Sequence, residues 1–283
     1  MANHSAVSEL DDRQRDLTRR WRVSVDGWID RPSSAIAFGQ RDGQPVALKV
    51  VKAKGDEWNA GSIVAAFEGR GVVRVLEHEP GGMLVERAVP GTSLVDIVSA
   101  GRDDDAIDVL ARVATTIGAR KAPAGAATAE HWGRAFATYR ASGDDQVPAA
   151  LVQYAEATYF DLCATQRERR LLHGDLQHYN VVFDAMRGWL AIDPKGVVAE
   201  AEFEVGPFLR NPHGMSELYS HSAVVARRLT RFCSASQLEF GRALRWAFAQ
   251  AVLSAIWDVE DDGITKSDGP ALLLARAIEP FLS

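Results

Sequence analysis

The span His173-Gly174-Asp175-Leu176-Gln177-His178-Tyr179-Asn180 runs directly into Val181-Val182-Phe183, and Trp189-Leu190-Ala191-Ile192-Asp193-Pro194-Lys195-Gly196 follows after a short gap. No other stretch constrains the fold as tightly. Residues 181–183 and 190–192 predict two short buried strands joined by a turn from Asp184 to Gly188. Such a hairpin brings Asp193 out at a strand end, facing the loop that carries Asn180. Asp175, Asn180 and Asp193 are therefore expected to converge.

Taken singly, these are ordinary residues: an Asp capping a turn, an Asn in a loop, an Asp before a Pro. Taken together they suit phosphoryl transfer. One carboxylate can orient and deprotonate an acceptor hydroxyl, while an amide oxygen and a second carboxylate are hard ligands of the kind Mg²⁺ takes. Asp175 and Asn180 also stand five positions apart with a later Asp, which is the spacing of kinase catalytic loops.

The segment resembles the active site of the aminoglycoside phosphotransferases, relatives of the protein kinases that write H-G-D where those write H-R-D. More narrowly, Leu172-His173-Gly174-Asp175-Leu176 with Gly188-Trp189-Leu190-Ala191-Ile192-Asp193-Pro194-Lys195-Gly196 resembles the streptomycin 6-kinase and hydroxyurea phosphotransferase branch. The likeness runs from about Pro32 onward. It implies an α+β, two-lobed protein-kinase-like fold. The N-lobe, residues 1–87, would be an antiparallel sheet with one helix that binds nucleotide; residues 88–92 would be a hinge; residues 93–283 would be a mainly helical C-lobe with the catalytic loop and acceptor site. The implied activity moves the γ-phosphate of ATP to a hydroxyl of a small molecule, with streptomycin or a related aminoglycoside foremost. Hydroxyurea, an amino sugar or another metabolite are the alternatives, and a nucleotide-binding module without catalysis is the rival class. Asp175 would be the catalytic residue, and Asn180 and Asp193 would hold Mg²⁺.

Upstream, Val46-Ala47-Leu48-Lys49 has the form of the kinase strand whose Lys contacts nucleotide phosphates, although an isolated Lys there would read as an exposed strand residue. Such a Lys needs a carboxylate partner on the next helix. Glu57, in the helix-like segment 56–67, is that partner, with Asp56 as the alternative. No G-x-G-x-x-G precedes the strand, so the phosphate-covering turn falls to Pro32-Ser33-Ser34-Ala35, with Ser33 and Ser34 as contacts. The resemblance alone places the backbone from Glu86 to Ala88 against the adenine ring.

Alternating segments at 21–29, 33–40, 45–51, 72–78 and 82–88 predict a five-stranded antiparallel sheet, with Asp42-Gly43 as a hairpin turn. Residues 1–20 are expected to be a loosely docked lead-in, helical over 10–20. Helical periodicity dominates after Ser93, over 107–117, 128–140, 149–169, 224–232 and 238–257, the last two being the final major helices. Acceptor-site candidates are His178, beside Asn180, Glu200 and Glu204, which could instead fix the metal loop or form a solvated acidic face, and Asp258, Glu260 and Asp261. Carboxylates at a helix C-terminus oppose the macrodipole, so that last cluster is either a solvated loop or a binding site for a cationic group.

The formal charge of −6 over 283 residues argues against a dedicated nucleic-acid binder and suits a cationic acceptor, though such acidity is also usual for a cytoplasmic protein. No apolar run reaches the length of a membrane span, and the start lacks a signal-peptide layout, so a cytoplasmic protein with no membrane partner is expected. Cys163 and Cys233 are too few for a zinc or disulfide framework. A monomer or weak dimer is expected.

Overall fold

The computed structural model describes residues 2–282, and the side chains of residues 9–282. Contacts divide the chain into two compact units, Met1–Thr92 with Val182–Lys195, and Ser93–Val181 with Gly196–Ser283.

In the first unit, helix α1 (Ala2–Arg20) precedes strands β1 (Ser24–Asp30), β2 (Ser34–Arg41) and β3 (Gln44–Val51). Helix α2 (Ala60–Ala66) and strands β4 (Val75–Glu79), β5 (Gly82–Glu86) and β6 (Pro90–Ser93) follow. The first five strands form an antiparallel sheet in the order β1-β2-β3-β5-β4. Asp42 and Gly43 turn β2 into β3 with φ of 49° and 78°, the left-handed pair that two-residue hairpins require.

The lead-in is not loosely docked. Leu17 is fully buried and packs with Trp21, Val23, Val46, Leu48, Val50 and Leu84 in one core. Arg13 Nη1 donates to the Val51 carbonyl at 2.6 Å, and Arg20 forks onto Glu79 at 2.6 and 2.8 Å. Apolar residues four apart, Leu17 and Trp21, suffice to fasten a helix that is otherwise charged, because burying one Leu contributes roughly 2 kcal/mol. Glu57 also differs from expectation: it sits on a 3₁₀ turn, Asp56–Asn59, that leads into α2 rather than on the helix itself.

The second unit contains α3 (Leu94–Ser99), α4 (Asp103–Ile117), β7 (Ala127–Thr128), α5 (Ala129–Trp132), α6 (Arg134–Ser142), α7 (Ala149–Ala164) and β8 (Arg170–Leu172). The hairpin β9 (Val181–Asp184) and β10 (Gly188–Ala191) returns to the first unit, where Val73 N–H donates to Ala191 O and Ala191 N–H to Gly71 O. Then come β11 (Val197–Ala199), α8 (Val205–Leu209), α9 (Ser222–Ser236), α10 (Phe240–Asp262) and α11 (Pro270–Ile278). Helix α10 is the axis of this unit: Trp246 to Phe248, Ala251 to Leu253 and Ile256 are all fully buried.

Three predicted helices change. Residues 128–140 form two short helices meeting at Gly133, and the helix from 149 stops at Ala164, releasing the chain into β8. Helix α10 continues past Trp257 to Asp262, so the acidic cluster lies inside its final turns, closed by Gly263 at φ 73°. Helix α11, opened by Pro270, follows the two helices expected to be last.

Among the described residues no helix is long and apolar enough to cross a membrane.

Candidate active site

Each unit carries its own cluster of candidate side chains. In the first, β3 places Lys49 opposite Ile36 and Met83, with only 8% of its surface exposed. Its ammonium lies 2.6 Å from Asp193 Oδ1 and 3.0 Å from Glu57 Oε2. Asp193 follows β10 with φ of 55°, a left-handed conformation that Asp tolerates better than most residues. The anchoring of β10 along residues 71–73 fixes where that carboxylate emerges. Glu57 also accepts from Ser33 Oγ at 3.0 Å and from Lys195 Nζ at 2.6 Å. Burial pulls the Glu57 pKa up, but Lys195 and Lys49 outweigh it and hold the carboxyl below its ordinary range.

Ser34 is buried, so its hydroxyl is less available to a ligand than that of Ser33, which is exposed. Glu86 pairs with Val46 across the sheet, its N–H donates to Arg74 O, and its carboxylate takes Arg187. Arg87 N–H donates to Pro45 O, and Ala88 is buried beyond it.

In the second unit, the loop after β8 carries Asp175. Glu204 braces it from beneath: its oxygens accept the N–H groups of His173 and Gly174 at 2.8 Å each, and that of Leu176. Burial pushes the Glu204 carboxyl up to about 7, against the pull of those three donors. Gly174 is required here, because its φ is 81° and a Cβ would stand 2.9 Å from the Trp132 ring. Asn180 Nδ2 donates to the Asp175 backbone carbonyl at 2.9 Å and to Asp175 Oδ2 at 2.8 Å. The amide nitrogen is thus committed to Asp175, leaving the oxygen as the atom suited to a hard cation. Among the described residues no three His, Cys, Asp or Glu side chains gather into a metal cage. Mg²⁺ does not demand one, since it keeps waters and binds through one or two hard protein oxygens together with phosphates, the donor type that Asn180 offers in the second unit and Asp193 in the first.

Several acceptor-site candidates are placed elsewhere. Glu200 is 1% exposed and tied to Arg242, Trp246 Nε1 and Arg167 N–H, so it is a structural anchor and neither a solvated face nor a ligand for an acceptor. Glu204 fixes the loop that carries Asp175 and is buried beneath it. His178 is fully buried against Arg228, with Nε2 3.5 Å from Nη2, which removes it from the acceptor site. Burial first, and the Arg228 charge second, hold its pKa down to about 3. Of the acidic cluster, Glu260 and Asp261 are exposed, whereas Asp258 is partly buried, where desolvation raises its pKa against the charge of Arg210.

Arg210, the C-cap of α8, is not among the residues the sequence singles out. Its Nη1 is buried with no hydrogen-bond partner among the described residues, and its charge is felt by both Asp175 and Asp258. Tyr179, 43% exposed beside Asn180, stacks on His213, whose charge also reaches Asp258. Nothing in local sequence spacing signals these partners.

The family model described as aminoglycoside/hydroxyurea antibiotic resistance kinase matches residues 20–263. The chain is 33% identical to a streptomycin 3''-kinase of Klebsiella pneumoniae over 86% of its own length and 91% of that protein. It is 27% identical to a streptomycin 6-kinase of Streptomyces griseus, over 92% and 86%. Its fold matches a crystal structure of aminoglycoside phosphotransferase APH(4)-Ia in ternary complex with ADP and hygromycin B, with a TM-score of 0.61 at 16% identity over 93% of this chain and 97% of that one. That architecture is the protein-kinase-like α+β fold. The chain belongs to the aminoglycoside/hydroxyurea antibiotic resistance kinase family.

Proposed function

We propose that the protein transfers the γ-phosphate of ATP to a hydroxyl of streptomycin or a closely related aminoglycoside. The observation that carries this reading is the Asp175 carboxylate, held by Asn180 Nδ2 on a loop whose N–H groups are locked by Glu204. A base needs that rigidity, because the acceptor oxygen must approach the phosphorus in line.

Asp175 positions the acceptor hydroxyl and takes its proton as the O–P bond forms. Lys49, aligned by Glu57, holds nucleotide phosphate oxygens, with Ser33 beside them. Asn180 Oδ1 and Asp193 are the proposed Mg²⁺ donors, and the ion would neutralise charge on the phosphates when bound. The backbone from Glu86 to Ala88 is the proposed adenine contact. Asp258 and Arg210 are the proposed acceptor contacts, Asp258 taking a guanidinium or amine. The phosphorylated position stays open between the two regiochemistries named for the relatives, and hydroxyurea is the second acceptor, favoured by the family description.

The test incubates purified protein with Mg-ATP and a panel of streptomycin, other aminoglycosides, hydroxyurea and amino sugars, reading ADP release and acceptor mass. A phosphate-mass increase on streptomycin is the expected result. ADP release with a shift on another acceptor alone overturns the streptomycin reading, and neither signal favours a binding module.

A further inference from the structure

Lys49, Glu57, Lys195 and Asp193 close into a ring of alternating charge. Lys49 bridges Glu57 Oε2 at 3.0 Å and Asp193 Oδ1 at 2.6 Å, and Lys195 bridges Glu57 Oε1 at 2.6 Å and Asp193 Oδ2 at 3.8 Å. All four oxygens of the two carboxylates thus face an ammonium, and the ring is neutral as it stands.

A divalent cation at Asp193 would upset that balance, because three cationic groups would then share two carboxylates. Like charges at such separations repel by several kcal/mol at the effective dielectric of a protein surface, so one ammonium must move. The geometry selects which. Lys49 has 9% of its side chain exposed and sits 2.6 Å from Asp193, whereas Lys195 has 38% exposed and sits at 3.8 Å. Lys195 also stands two residues past Asp193, so its flexible stem can swing while the backbone stays fixed.

We propose that Lys195 is a built-in counter-ion of this site: it occupies Asp193 and Glu57 while no metal is bound, and passes to nucleotide phosphate oxygens when a divalent cation takes Asp193. The proposal rests on the nucleotide reading of Lys49 and Asp193 given above. It makes Lys195 a positioning residue that competes with the metal for one carboxylate and shares the phosphates with it.

The test is calorimetric binding of ADP to the full chain with and without Mg²⁺, for wild type, Lys195→Met and Lys195→Arg, with melting temperatures of the free proteins as a check on folding. In Lys195→Met, metal-free ADP affinity is expected to change about threefold or less, because the ammonium is then on the carboxylates, and Mg-ADP affinity to fall about tenfold, the size of one charged hydrogen bond. The gain in affinity conferred by Mg²⁺ therefore falls in this variant, while Lys195→Arg keeps the charge and the wild-type gain. An unchanged Mg²⁺ gain in Lys195→Met overturns the proposal, since a merely structural lysine would affect both affinities equally. Wild-type protein that binds no ADP overturns the nucleotide reading and this inference with it.

Discussion

Lys49 Nζ and Asp193 Oδ1 lie 2.6 Å apart although 144 positions separate them in the chain. The contact joins a sheet strand to the end of a hairpin, so each residue sets the other's position. Lys49→Ala is expected to lower kcat/KM for ATP by about a hundredfold, roughly 3 kcal/mol of transition-state stabilisation. Asp193→Ala should cost a similar factor. Because the two side chains touch, the double variant should lose clearly less than the product of the single losses. Steady-state ADP release measures all three, and strict multiplication of the losses would show that the two act independently.

Asp175 makes a different kind of contribution. Its only proposed work is on the acceptor hydroxyl, so Asp175→Asn should reduce kcat by about 10² to 10⁴-fold while ADP affinity stays within about threefold of wild type. Calorimetry and turnover on the same preparation separate the two. Parallel loss of both would assign Asp175 to nucleotide binding instead.

How much of this was readable in sequence follows from chain distance. Asp175, Asn180 and the β9–β10 hairpin are local, and local spacing with apolar flanks revealed them. Lys49 was readable because its strand has a recognisable pattern. The Lys195–Glu57 pair spans 138 positions and has no local signature, so the ring was invisible. The depth at which Glu200, Glu204 and His178 lie was hidden for another reason: polar residues read as surface unless their partners are known, and theirs are Arg242, backbone N–H groups and Arg228. The docking of α1 depends on two apolar residues among many charges, too few to outweigh composition.

Asp258, the proposed acceptor contact, is the member of the acidic cluster that feels the charge of Arg210, a charge also met by Asp175. Asp258→Asn should raise KM for a cationic acceptor by about tenfold and leave KM for ATP unchanged, the loss of one charged hydrogen bond. Burial raises the Asp258 pKa, so it gains a proton earlier on acidification than an exposed carboxyl does. Acceptor KM should accordingly rise as pH falls in the wild type and stay flatter in Asp258→Asn. Initial rates across an acceptor titration at several pH values check both, and a KM change shared by ATP would remove Asp258 from the acceptor site.

His178 makes stability depend on acid. Its pKa falls from 6.5 to about 3 on folding, so the unfolded chain binds the extra proton between those values. The contribution is fully present above pH 6.5, where His178 is neutral in both states, and is lost progressively as pH falls toward 3. At pH 5 the loss is about 2 kcal/mol, taking 1.36 kcal/mol per unit over the interval from 6.5. Glu204 acts in the opposite sense: its raised pKa gives stability that is present below 4.5 and lost as pH rises toward about 7. The net profile of the wild type mixes the two, and a difference measurement isolates one. His178→Gln cannot take up the proton, so urea unfolding of the variant should show a smaller fall in stability between pH 7 and 5 than the wild type does. An identical fall in both proteins would place the acid sensitivity elsewhere.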